Sequence, residues 1–311
     1  VSRSKERKRP GIIGRILWII NILAAISLLA SYFSYYVDPA ITTLFAFLGL
    51  AYPILLLLNI LFVLYWLIRL RRRLLLSVII LAAGFQPLTR YIQLFPGEPA
   101  PDEKSVSVLS YNVQNMAHSN DGEEKAGVRN AILDFITSEK ADITCIQEFS
   151  GMGTGSEGAL ENLRSLTGYE YCYHADYFAR PSGRTYALVI LSRFPATGTR
   201  ALSLPGVDHN FGFYADLLIH GDTIRIYNLH LESIRFQQSD YRFVEEVSKG
   251  KAEQGLIGEG SRRITRKLHH AFIKRSRQAS VVVSSLSTSP YPVIVCGDFN
   301  DTPLSYAYHK I

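Results

Sequence analysis

Three stretches with almost no charge, residues 12–30, 44–67 and 74–88, crowd the first ninety positions of this 311-residue chain. The first is close to the roughly 20 residues that cross a bilayer. Apolar side chains fall on every face of a helix drawn through them, which argues against core helices of a soluble protein, where one face stays polar. A basic decapeptide, VSRSKERKRP, precedes the first stretch. A signal peptide has the same order of parts, but two further apolar stretches follow and the first is long for a signal core, so an uncleaved anchor is expected.

Charge sets the expected topology. The segment 31–43 holds Asp38 and no Lys or Arg, whereas Arg69, Arg71, Arg72 and Arg73 follow the second stretch. Cationic flanks stay on the cytoplasmic side, so both ends of the first two stretches are placed there. The third stretch has an apolar core of only about a dozen residues, a length shared by short spans and by re-entrant or interfacial segments. Arginine flanks that snorkel lengthen it, and a spanning third stretch is the arrangement expected here. The chain is then multi-pass, with everything after the linker on the non-cytoplasmic side.

Residues 96–103, PGEPAPDE, form that linker, because proline removes backbone donors and favours extended chain. Residues 1–95 are the membrane anchor and 104–311 a second domain. Residues 1–103 carry eleven Lys/Arg against five Asp/Glu, and 104–311 carry twenty-two of each, so the formal charge of +6 lies entirely in the N-terminal part, residues 1–103. The second domain is neutral and lacks the basic footprint of a nucleic-acid binder. Cys145, Cys172 and Cys296 lie in apolar surroundings with neither metal-site nor paired-disulfide spacing, and read as buried thiols.

The second domain alternates strands and helices. VSVLSYNVQ (106–114) reads as a strand, 127–139 as a helix, 142–147 as a strand ending at Glu148, and 159–166 as a short helix. Further strands are expected near 169–173, 186–191, 211–219, 223–231 and 293–296, with a long helical stretch over 235–285. This is an α/β pattern.

Polar residues stand at the ends of these strands: Asn112, Glu148, His230, and Asp298 with Asn300. Strand carboxyl ends are where sites assemble. Taken singly, Glu148 also suits a helix cap, His230 a core or edge histidine, and Asp298 and Asn300 a turn. Together they hold the parts that phosphoester hydrolysis needs: oxygen ligands for a hard cation, a positioned water and a donor for the leaving oxygen.

The pieces SYNV (110–113), DITCIQE (142–148), ALVILSRFP (187–195), NLHLES (228–233) and CGDFNDTPLS (296–305), in this order, resemble the endonuclease/exonuclease/phosphatase superfamily, the deoxyribonuclease I-like fold. The resemblance covers about residues 104–311 and implies a two-sheet α/β sandwich and an Mg²⁺-dependent phosphoester hydrolase, with Mn²⁺ as a substitute. It implies that Glu148 binds the metal and Asn112 supports metal and phosphate. It gives His230 to the scissile phosphate or leaving oxygen, and Asp298 and Asn300 to the attacking water and a phosphate oxygen. Asn228 and Arg184 are further expected contacts for phosphate or substrate.

The sequence departs from the family pattern in two places. Nothing after Ser305 supplies the family's closing Ser-Asp-His, so the domain is expected to be incomplete at its carboxyl end and this chain to be weakly active or inactive by itself. Tyr186 also stands where the family often has glycine. Residues 261–280 hold Arg262, Arg263, Arg266, Lys267, Lys274, Arg275 and Arg277 with no acid. A solvated helix face, a surface for anionic lipid head groups and a nucleic-acid backbone contact all remain open for them. A phosphodiesterase or phosphatase on phospholipid-type substrates is the first reading, a nuclease on DNA or RNA the second, and a silent membrane scaffold the third. No obligate protein partner is implied.

Overall fold

The computed structural model describes residues 11–93, 105–116, 122–151, 156–179, 185–205, 212–250 and 254–311. It divides into two compact units, one made of Val1–Gly97 with Asp301–Lys310, the other essentially Glu98–Asn300.

The first unit is helical. α1 (Ile12–Ser31) is an unbroken helix of 20 residues, about 30 Å long at 1.5 Å per residue. It alone among the described helices is long and apolar enough to cross a membrane. The expected second span is broken into α2 (Leu44–Leu50) and α3 (Tyr52–Ile68), bent by 65°. Pro53, in the first turn of α3, suits a helix start and cannot continue a preceding one. The third apolar stretch is also split, into α4 (Leu74–Ala83) and α5 (Phe85–Thr89) around Gly84. A Cβ on Gly84 would fall 2.1 Å from the Tyr32 hydroxyl. That hydroxyl donates to the Ile80 carbonyl at 2.9 Å, so a side chain from beyond α1 closes the end of α4.

Polar side chains face the inside of this unit. Asn21, Asn59 and Ser77 are wholly buried. The Asn21 amide donates to Ser77 Oγ at 2.7 Å, Ser77 Oγ donates to Asn59 Oδ1 at 3.0 Å, and the Trp66 indole donates to Asn21 Oδ1 at 2.9 Å. The outer faces expose Ile19, Ile26, Leu57, Leu64, Leu75 and Ile79. Arg73 lies over both Trp18 and Trp66 and donates to the Gly14 carbonyl.

The second unit is an α/β sandwich of two four-stranded sheets with helices, as the sequence implies. One sheet has the order β1 (Val108–Asn112), β2 (Ile143–Gly151), β4 (Thr185–Ser192), β3 (Tyr171–Ala179). The other has β5 (Ala196–Leu202), β6 (Gly212–Ile219), β7 (Asp222–His230), β8 (Val293–Asp298). Ile143, Cys145, Leu188 and Ile190 pack between the sheets against Phe213, Ala215, Leu217 and Ile226. On the other face of the first sheet, Ile146, Val189 and Leu191 pack on Ile132, Leu133 and Ile136 of α6 (Gly122–Glu139) and on Leu160 and Leu163 of α7 (Ser156–Thr167). β4 is therefore buried on both faces, and its run Ala-Leu-Val-Ile-Leu is continuously apolar rather than alternating.

β5 answers to no expected strand: it is an edge strand, exposed at nearly every position, with Gly198 and Thr199 in place of an apolar alternation. The expected helical stretch 235–285 is two helices, α8 (Gln238–Ser248) and α9 (Gln254–Ser287). α8 starts with a capping box between Gln237 and Asp240. All three cysteines are free thiols; a hydrogen bond to Cys296, and then burial, pushes the Cys145 thiol up.

Two of the pairings are parallel, β1 with β2 and β7 with β8. Parallel neighbours end on the same side, so Asn112 and Glu148 come together on one sheet, and His230 stands in register with Asp298 on the other.

Candidate active site

Glu148 owes its direction to a break in its strand. The β2–β4 register slips between Ile146 and Phe149, and Glu148 itself sits at φ 53°. A bulge of this kind re-aims one side chain, and a left-handed glutamate is strained unless its surroundings hold it. What holds it lies on either side in the chain. Gln147 is buried and donates to Asn228 Oδ1 at 2.7 Å, while the Phe149 ring is buried toward α6 and α7.

The two sheets meet at Asn112. Its amide nitrogen donates to Glu148 Oε1 at 3.2 Å and to Asp298 Oδ2 at 2.9 Å, and its Oδ1 accepts the Gln114 backbone N–H at 2.9 Å. Two carboxylates therefore stand side by side on one amide. His230 Nε2 lies 3.5 Å from Glu148 Oε1. Burial lowers the pKa of His230, while the nearby carboxylates of Glu148, Asp298 and Glu232 act in the opposite direction.

The Asp298–Asn300 turn is built by local bonds. Asn300 N–H donates to Asp298 Oδ1 at 2.8 Å, its side-chain amide donates to the Leu231 carbonyl at 3.0 Å, and Leu231 N–H donates to the Asp298 carbonyl at 2.9 Å. Gly297 at φ 148° is required here, since a Cβ would lie 2.1 Å from the Leu229 oxygen.

The structure thus brings together Asn112, Glu148, His230, Asp298 and Asn300. Asn228 lies elsewhere, wholly buried, with its amide donating to the Ile146 and Val189 carbonyls at 2.9 and 2.8 Å. It joins the sheets beneath the site. Arg184 lies outside the described residues, as does the side chain of Tyr186.

Two participants were given no role in the motif reading. Asn115, in a run of three positive-φ residues (114–116), places its amide nitrogen 3.5 Å from Glu148 Oε2. Glu232 is buried beside the site and paired with Lys274 at 3.2 Å and Arg235 at 3.4 Å. The second asparagine of YNVQN hints at Asn115. Glu232 stands inside NLHLES, but the motif gave it no role, and its partner Lys274 is 42 residues away.

The basic run of α9 is largely consumed internally. Arg263 reaches Asp240 at 2.7 Å and Lys267 reaches its other oxygen at 2.5 Å. Lys274 pairs with Glu232, and buried Arg275 donates to the Glu232 carbonyl at 3.1 Å. Arg262, Arg266 and Arg277 remain exposed.

Among the described residues no three His, Cys, Asp or Glu side chains converge as a ready-made metal set. A closed tetrahedral zinc site needs such a set. Magnesium does not, since it takes one or two carboxylates and keeps several waters. Glu148, a quarter exposed beside a second carboxylate, fits that habit.

A domain of unknown function, DUF8431, matches residues 14–91. No curated protein matches the chain. Among solved structures it is similar to a humanized TDP2 of D. rerio at 14% identity and TM-score 0.40, covering 63% of this chain and 62% of that one. It is also similar to an endonuclease/exonuclease/phosphatase from Beutenbergia cavernae at 16% identity and TM-score 0.42, covering 63% and 47%. A beta toxin of Staphylococcus aureus matches at 15% identity and TM-score 0.42, covering 66% and 70%. The chain spans 62% and 47% of the length of the first two. The Endonuclease/Exonuclease/phosphatase family pattern matches residues 109–311, about two thirds of the chain, and the protein belongs to that family.

Proposed function

We propose that this protein is a membrane-anchored, Mg²⁺-dependent phosphoester hydrolase acting on phospholipid-type substrates. One observation carries the reading: the carboxylates of Glu148 and Asp298, from different sheets, share the Asn112 amide, with His230 3.5 Å from Glu148. Glu148 would hold the cation, which when bound neutralises charge on the phosphoryl oxygens. Asn112 keeps the two carboxylates in register. Asp298 accepts a hydrogen bond from the attacking water and aligns it, while the Asn300 turn fixes the Asp298 rotamer. A neutral His230 imidazole donates to a phosphoryl oxygen or to the leaving oxygen.

Anchoring is supported by α1 and by the apolar outer faces of the helical unit. The hydrogen bonds that join Asn21, Asn59 and Ser77 tie α4 to α1 and α3, which favours a third span and a catalytic domain on the non-cytoplasmic side. A reporter fused after Lys104 that works only in the cytoplasm would overturn that topology.

A substrate panel with the detergent-solubilised protein tests the function. Phosphatidyl and sphingolipid substrates, plasmid DNA and RNA are each offered with Mg²⁺, with Mn²⁺ and with chelator. Chelator-sensitive release of phosphate or phosphorylated head group from lipid supports the reading. Cleavage of nucleic acid alone replaces it with a nuclease, and no hydrolysis of any substrate leaves a silent scaffold.

A further inference from the structure

Glu232 is fixed from several directions, all within the sandwich unit. Its N–H donates to Gln278 Oε1 at 2.9 Å, and its carbonyl accepts from Arg275 at 3.1 Å. Its carboxylate is 5% exposed, and a single oxygen, Oε1, faces both Lys274 Nζ at 3.2 Å and Arg235 Nε at 3.4 Å. The other oxygen, Oε2, is buried without a hydrogen bond among the described residues. Two cations therefore share one carboxylate, and one positive charge is left over. That surplus lies at the surface, because the Arg235 side chain is 64% exposed and that of Lys274 38%. The Arg235 backbone is held at φ 52°, a conformation strained for arginine, and Lys267 donates to its carbonyl at 3.2 Å. Strain of this kind gathers at ligand sites. The positive charge of Arg235 also reaches His230, where it opposes the neighbouring carboxylates.

A scissile phosphate beside His230 leaves this surplus charge facing whatever the substrate carries next. We propose that Arg235 and Lys274 form a second anion subsite, so that the preferred substrate is a phospholipid-type ester whose head group bears a further phosphate near the scissile one. The terminal nitrogens of Arg235 make no hydrogen bond among the described residues, and a planar guanidinium holds a phosphate through two parallel N–H bonds. Lys274 adds a point charge. Buried Glu232 directs both cations without cancelling them. A nucleic-acid backbone offers a run of phosphates and calls for a basic surface. Residues 104–311 carry twenty-two acids and twenty-two bases, and one localised surplus charge fits one extra phosphate. The subsite rests on the phosphoesterase reading for its place beside a scissile phosphate.

The test uses the whole protein in detergent. Calorimetric titration with glycerol bisphosphate and with glycerol phosphate, both in chelator, reads the subsite apart from hydrolysis. The bisphosphate should bind about tenfold more tightly. Arg235→Gln and Lys274→Gln should each remove most of that difference, and Arg235→Lys should keep part of it. Arg262→Gln, at an exposed cation elsewhere on α9, should leave it unchanged. With Mg²⁺, short-chain phosphatidylglycerol phosphate should show a KM about tenfold below that of short-chain phosphatidylglycerol, and Arg235→Gln should abolish that advantage at nearly unchanged kcat. Equal binding of the two glycerol phosphates by the unsubstituted protein overturns the subsite. So does a preference that survives both Gln substitutions, and so does Arg235-dependent binding of an oligonucleotide with none of the bisphosphate. Arg235-dependent bisphosphate binding by a protein that hydrolyses nothing keeps the subsite and counts against the phosphoesterase reading alone. Hydrolysis with no preference for a second phosphate, unchanged in Arg235→Gln, counts against the subsite alone.

Discussion

The helical unit and the sandwich differ in what they place outside. In the sandwich, Leu188, Ile190, Phe213 and Leu217 are inside. In the helical unit Asn21, Asn59 and Ser77 are inside, and leucines and isoleucines line the outside. Both units have apolar cores, with Leu28, Tyr52, Phe62 and Trp66 inside the helical one, so the difference lies in the apolar outer faces of the helices, which are what the proposed lipid surroundings would solvate. The division extends to chemistry, because the clustered carboxylates lie in the sandwich.

The sharpest way to break this comparison is to remove chemistry from one unit and leave the other untouched. Asp298→Ala should lower kcat about 10²- to 10⁴-fold by depriving the water of its acceptor, with membrane association unchanged in a flotation assay. Loss of association together with activity would show that the units do not divide the work.

A lysine on the outside of each unit tests that difference itself. Leu57→Lys, midway along the second apolar stretch, should cost about 3 kcal/mol of membrane insertion. Leu218→Lys, on an exposed face of β6, should change sandwich stability by less than about 0.5 kcal/mol. Insertion of the Leu57→Lys protein at wild-type yield would remove the case for lipid around α3.

The same substitution inside each unit gives a smaller contrast. Asn228→Leu takes their side-chain donor from the Ile146 and Val189 carbonyls and one acceptor from the Gln147 amide between the sheets, at about 3 kcal/mol in denaturant titration. Asn59→Leu removes contacts to Ser77 and the Ala24 carbonyl, at about 1 kcal/mol, as polar contacts between membrane helices are modest.

The mildest prediction concerns acid. Hydrogen bonding by Lys267, then by the Gln237 N–H, holds the Asp240 carboxyl well below the usual range, and Arg263 adds to it. A carboxyl whose pKa is depressed on folding contributes stability that is complete above its unfolded value of about 3.9 and is lost as pH falls below it. Asp240→Asn should therefore cost about 2 kcal/mol at pH 7, and the gap to wild type should narrow from about pH 5 downward. A gap independent of pH would mean that the charge of Asp240 is not what joins α8 to α9.

How much of this was legible in the sequence depended on distance along the chain. β4 was plain, because a strand buried on both faces must be continuously apolar. β5 was not, because an exposed edge strand needs no apolar pattern. The five clustered residues could be named from motifs, since each ends an apolar strand, but not the bulge that turns Glu148 toward Asn112, which depends on how β2 pairs with β4. The basic run of α9 looked like a surface because its acidic partners, Asp240 and Glu232, lie 23 to 42 residues upstream of the cations they hold. The third apolar stretch looked continuous because the ring that interrupts it belongs to Tyr32.

The central claim is that Glu148 holds a divalent cation on which hydrolysis depends. Calorimetric titration of Mg²⁺ into the protein and into Glu148→Gln, with hydrolysis of bis(4-nitrophenyl) phosphate followed on the same samples, tests it most directly. The expected result is saturable Mg²⁺ binding that is lost in the variant, together with at least a thousandfold loss of hydrolysis, about 4 kcal/mol, at unchanged thermal stability. Equal Mg²⁺ binding and equal hydrolysis by the two proteins would contradict the account.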